Sequence, residues 1–138
     1  MQALAARPSR ATRVIVPIER LDRAALYALA YARTVSDDVT AVHVAGDDRV
    51  EEMRLRERWR HTDDGTRLEV LVGGEAVEAI ASYVEGLPGT SAVVIPEVMP
   101  RPRWLYPLHN LGTLALRRRL AAHASAVVIS APYRLSAE

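Results

Sequence analysis

The residues best suited to chemistry lie close together late in the chain, at Arg101, Arg103, Trp104 and Tyr106. Arginine forks grip phosphate oxygens through paired hydrogen bonds, and aromatic faces stack on bases, so this set can hold a phosphate-bearing ligand. The alternative is that both rings pack the stretch onto the body of the domain while the arginines stay solvated. His109 and Asn110 follow, just ahead of Leu111-Gly112-Thr113. Asn110 suits a helix N-cap, and the amides around Gly112 and Thr113 would form a helix amino end, where an anion is favoured. His109 can bond a phosphate or satisfy neighbouring backbone groups.

Other candidates are weaker. His61, Asp63 and Asp64 offer oxygen and nitrogen donors in one loop, but no second cluster at ligand spacing joins them, so no metal site is expected. Arg117-Arg-Arg119 spans about 200° of a helix, so the three cannot share one ligand and read as a solvated face. His43 lies mid-strand, as a core or sheet-surface residue. Cysteine is absent, which removes thiolate nucleophiles, thiolate metal sites and disulfides together. All 18 basic residues are arginine, so a Schiff-base lysine and a phosphate-loop lysine are excluded. Neither a Gly-x-Ser-x-Gly elbow nor a zinc-type His pair occurs. No enzymatic activity is expected.

The elements that must position these groups read clearly. Arg13-Val-Ile-Val-Pro-Ile18 is a buried strand closed by Pro17, and Asp22 caps a helix in which Ala25, Leu26, Leu29 and Ala30 recur at helical spacing. Val39–Ala45 is a second strand. Gly46-Asp47-Asp48 then turns into a charged helix ending near Arg60, with Glu52 and Arg56 spaced as an exposed pair. Arg67–Val72 is a third strand, and Gly73-Gly74 leads into a helix with an inward stripe of Val77, Ile80, Ala81 and Val84. Ser91–Pro96 is a fourth strand, a helix runs from about Asn110 to Ala122, and Ala124–Ala131 is a fifth strand.

Five apolar strands alternating with helices predict an α/β fold with a parallel, doubly wound sheet, because parallel strands need helical crossovers and are buried on both faces. Right-handed crossovers leave the orders 2-1-3-4-5 and 3-2-1-4-5. In the second, ligands are expected at the carboxyl ends of strands one and four, beside Pro17, Ile18 and Glu19 on one side and the stretch from Pro96 to Arg103 on the other. The 138 residues suffice for one domain, expected over 13–135 behind a flexible segment 1–12.

Charge is uneven although the formal sum is +1: residues 1–36 carry six Arg against two acids, 37–90 six against thirteen, and 91–138 six against two. The near-neutral sum argues against a nucleic-acid coat, while the basic last third can attract a compact anion. No apolar run approaches the roughly 20 residues a membrane helix needs, and Met1–Thr12 lacks a signal-peptide core. A soluble, cytoplasmic protein without direct membrane insertion is expected.

The opening Val-Ile-Val-Pro-Ile, the strand Thr40-Ala-Val-His-Val44 and the closing Ala126-Val-Val-Ile-Ser130 resemble the universal stress protein family over residues 13–133. That resemblance implies a 3-2-1-4-5 sheet, an adenine nucleotide at the crevice of strands one and four, and dimers. The family's Gly-x2-Gly-x9-Gly-Ser/Thr motif falls here on Pro96, Met99, His109 and Asn110, so every glycine is replaced. Glycine lets backbone amides close on phosphate in conformations that Pro96 and Met99 do not share. The stretches Ser36–Val44, Leu108–Arg117 and Pro132–Leu135 are similar to the universal-stress-like cytoplasmic C-terminal domain of amino acid-polyamine-organocation superfamily permeases, in which those glycines are normally missing.

The implied ligands are ATP, AMP or cyclic di-AMP. The implied binding residues are Pro17, Ile18, Glu19, Val44, Arg101, Arg103, His109, Asn110, Gly112 and Thr113, with Glu19 toward the adenosine and the later residues toward phosphate. The implied partners are a second copy, paired through the apolar last strand, and a membrane permease. A ligand-free assembly module, its crevice plugged by Trp104 and Tyr106, is the alternative.

Overall fold

Three consecutive β-branched or apolar side chains, Val14-Ile-Val16, leave a strand no solvent-facing side, and they come to lie at the centre of a sheet covered on both faces. The computed structural model describes residues 13–62, 65–99, 111–123 and 126–134. Along the chain it contains β1 (Arg13–Pro17), α1 (Arg23–Val35), β2 (Val39–Ala45), α2 (Arg49–Arg60), β3 (Arg67–Val72), α3 (Ala76–Glu85), β4 (Ser91–Met99), α4 (Leu111–Ala121) and β5 (Ala126–Arg134). The five strands form one parallel sheet in the order β3-β2-β1-β4-β5, the second of the two orders expected.

Register sorts the strand residues into two cores. Val14 and Val16 of β1, Val39 and Ala41 of β2, and Ala92 and Val94 of β4 pack with Ala25, Ala28, Leu29 and Ala32 of α1 and Leu55 of α2. On the opposite face Ile15, Val42, Val93 and Ile95 meet Ile80, Ala81 and Val84 of α3 and Leu116 and Leu120 of α4. The run of alanines in α1 lets the helix lie close to the sheet, and Asp22 caps it by accepting from the Ala25 amide at 2.9 Å. Asp48 caps α2 likewise, accepting from the Val50 and Glu51 amides at 3.0 and 3.2 Å.

Two strands outrun their expected ends. Pro96 was expected to close β4, yet β4 continues to Met99, with Glu97 opposite Pro132 and Met99 opposite Arg134 of β5. The reason lies in register: β1 is matched to β4 only as far as Ile15 opposite Val93, so Pro96 interrupts no ladder on that side. β5 runs on to Arg134 for the complementary reason, since an edge strand tolerates Pro132. The segment 1–12 lies outside the described residues.

Candidate functional site

The carboxyl ends of β1, β2 and β4 meet at one edge of the sheet, where the strand order reverses and such folds place ligands. Pro17 ends β1 opposite Val42 of β2 and is buried. Ile18 is also buried, and its amide donates to the Val42 carbonyl at 2.9 Å, tying the exit of β1 to β2. Glu19, next along, is exposed. Val44, near the end of β2, packs half-buried against the core shared with α3 and α4. Gly112 and Thr113 lie in the first turn of α4, Thr113 half-buried. Arg101, Arg103, His109 and Asn110, with Trp104 and Tyr106, lie outside the described residues.

Two acid–base pairs at this edge were not among the expected site residues. The first involves His43, buried on the α2 face of β2. Its Nδ1 lies 2.9 Å from the Ile18 carbonyl oxygen, and its Nε2 lies 2.8 and 2.9 Å from the two carboxylate oxygens of Glu52 in α2. The Gly46 amide donates to Glu52 Oε1 at 3.2 Å. Burial by itself raises the Glu52 carboxyl, but the His43 hydrogen bond, the Gly46 amide and the charges of His43 and Arg56 outweigh it and hold the group below the usual carboxylate range. Glu52 thus serves β2 and the turn before α2, where helical spacing alone suggested an exposed pair with Arg56.

The second pair is Glu97 and Arg117. Glu97 points from β4 into the α4 side, and only 2% of it is exposed. Arg117 donates from Nη2 to Glu97 Oε2 and to Ser130 Oγ of β5, fixing the middle of α4 to β4 and β5. Arg119 reaches the other way, to Glu78 and Glu85 of α3, while Arg118 is exposed. The Arg117–Arg119 run is therefore not the solvated face that its sequence suggested. Its members diverge around the helix as expected, but two of them join elements that are distant in sequence. A charged Glu97 within an otherwise apolar strand run was a usable signal, since buried carboxylates need a cationic partner.

Among the described residues no group of three or more His, Asp or Glu side chains is placed to hold a metal ion, and no helix is long and apolar enough to cross a membrane. The strand order and the helices on both faces define a doubly wound α/β domain. The chain belongs to the KimA potassium transporter C-terminal domain family, whose model matches residues 9–133. It is 31% identical over 136 residues to the potassium transporter KimA of Bacillus subtilis (strain 168), in an alignment covering 90% of this chain and 22% of that protein. The chain thus spans about a fifth of the length of the curated relative it matches.

The resemblance to the universal stress protein family is corrected by this match. β-rich strands and the 3-2-1-4-5 order recur across doubly wound sheets and do not separate families. The glycine motif that would separate them is absent at Pro96, Met99, His109 and Asn110. Relation to the C-terminal domain of a transporter is what the match supports.

Proposed function

We propose that this domain is a non-catalytic regulatory module on the cytoplasmic side of a potassium transporter, and that it reports an anionic adenine nucleotide, cyclic di-AMP foremost, bound at the carboxyl edge of β1 and β4. The observation that carries the reading is the match over residues 9–133 to a potassium transporter's C-terminal domain. The nucleotide is supported by the reversal of strand order beside Pro17, Ile18 and Glu19, and by Arg101, Arg103, His109 and Asn110 between β4 and α4. Want of lysine and of a phosphate-binding glycine loop supports binding without hydrolysis.

A thermal-shift comparison of ATP, AMP and cyclic di-AMP tests it. A ligand at one hundred times its dissociation constant stabilises the domain by about 2.7 kcal/mol, and joint Arg101→Ala and Arg103→Ala substitution removes that shift. No shift with any of the three overturns the nucleotide.

One observation favours a second reading, a ligand-free assembly module. β5 is an edge strand, Val127 on it is 52% exposed, and Tyr27 and Tyr31 of α1 are exposed on the same side, Tyr27 beside Tyr133 of β5 with ring centroids 6.0 Å apart. Under that reading the chain forms a dimer through β5 that Val127→Arg dissociates, as read by light scattering. Val128, its neighbour on β5, packs half-buried toward α3 and α4 and is the poorer probe.

A further inference from the structure

We infer that His43 and Glu52 form a proton-operated clamp, which holds the exit of β1 and the first turns of α2 onto the end of β2 while the pair retains its shared proton, and releases one of these contacts when that proton leaves.

The argument is a count of donors and acceptors. The Ile18 carbonyl only accepts, so the bond to it requires a proton on His43 Nδ1. An ionised Glu52 carboxylate also only accepts, so the contacts at 2.8 and 2.9 Å require a second proton, on Nε2. Placing that second proton on the carboxyl instead leaves the total unchanged. In both descriptions the pair holds one proton more than a neutral imidazole beside a carboxylate. Loss of that proton leaves a nitrogen lone pair against a carboxylate, or strips the donor from Ile18, and in a buried site an unmade hydrogen bond is costly.

The surroundings leave the clamp few substitutes. From β1 the pair meets the Ile18 carbonyl, while Glu19 and Arg20 beyond it are exposed. β3 places the apolar Val70 opposite His43 in the register. α1 brings Ala25, Ala28, Leu29 and Ala32 to this face of the sheet. The turn before α2 supplies the Gly46 amide to Glu52, and its Asp48 is engaged with the Val50 and Glu51 amides, with Asp47 exposed beside it. α2 itself contributes Arg56, whose charge acts on Glu52, and Glu51, which pairs with Arg54. Histidine is the side chain whose charge ordinarily changes across the physiological range, so the contact joining β1, β2 and α2 depends on pH where other contacts here do not.

Because Ile18 borders the crevice, the clamp's bearing on a ligand rests on the nucleotide reading above. The clamp itself is tested without nucleotide, so the two readings fail in separate measurements. Imidazole nitrogen NMR of the whole chain, titrated with pH, is expected to show His43 protonated on both nitrogens on the acid side. The Ile18 and Gly46 amide signals should move with the same midpoint as the ring. Glu52→Gln, which keeps an acceptor and removes the charge, is expected to uncouple the Gly46 signal from the ring. A His43 ring with a single proton throughout, or Ile18 and Gly46 signals that ignore its titration, overturns the clamp. These wild-type readings decide the matter even where Glu52→Gln fails to fold.

Discussion

Arg117 shows how much a single side chain can organise in this domain. It neutralises a carboxylate that β4 carries into the interior and at the same time bonds Ser130 of β5. Breaking a buried pair from one side costs far more than the pair's net worth, so Arg117→Ala is expected to destabilise the fold by about 3 kcal/mol, and adding Glu97→Gln should recover much of the loss in denaturant titrations. Acid acts on other carboxylates. Glu75 accepts from the Val77 and Glu78 amides at the start of α3, Glu85 is bonded by Arg119, and both lie below their ordinary range for those reasons, as does Glu52. A carboxyl lowered in the folded state contributes stability that is present above its unfolded value, near 4.3, and is lost as pH falls through the folded value. The melting temperature is therefore expected to fall as pH is taken from about 6 to about 3, and Glu75→Ala should flatten that slope. The partners of Glu85 and Glu97 could not be read from spacing. Helical neighbours such as Glu52 and Arg56 are visible in the sequence, whereas His43 meets Glu52, and Glu97 meets Arg117, only once the chain has crossed over.

At the scale of elements, local chemistry was the better guide. Asp22 caps the helix it was expected to cap, and Asp48 of the expected turn caps the next, because an N-cap acts within three residues of itself. Gly73 and Gly74 lead into α3 with φ of +85° and +83°, where side chains are strained although a Cβ would meet open space. Gly74→Ala is accordingly expected to cost about 1 kcal/mol through the backbone alone, visible in the midpoint of chemical denaturation. Leu120 of α4 is fully buried against the sheet, and Leu120→Ala should cost about 3 kcal/mol in the same measurement. Where a strand ends proved harder to foresee. Proline is a reliable stop only if its missing amide was needed, and at Pro96 the neighbouring strand had already left.

The whole molecule is one sheet with a core on each face, so neither layer of helices can leave without exposing strands that the other still covers. Unfolding is expected to be a single transition, with far-ultraviolet circular dichroism and tryptophan fluorescence coinciding along a denaturant titration. The chain belongs to a transporter's C-terminal domain family and spans about a fifth of the curated relative it matches. The two faces also differ in what they offer outward. Tyr27, Tyr31 and Val127 lie exposed around the β5 edge, while the far side of the sheet is covered by α3 and α4.

By itself the amino-acid order determined that this would be a parallel α/β domain, because alternation of β-branched runs with capped amphipathic segments is written within a dozen residues at a time. It also placed Pro17, Ile18 and Glu19 at the exit of the first strand, whereas the choice of 3-2-1-4-5 over 2-1-3-4-5, which makes that strand central, came from the tertiary structure. Which family the chain belongs to was not decided by those same features, which many doubly wound sheets share. Only the tertiary structure brought His43 to Glu52 and Glu97 to Arg117, and only it carried β4 beyond Pro96. Hydrogen bonds and ion pairs depend on ångström distances between elements, and those distances are set by packing across the sheet rather than by any local pattern along the chain.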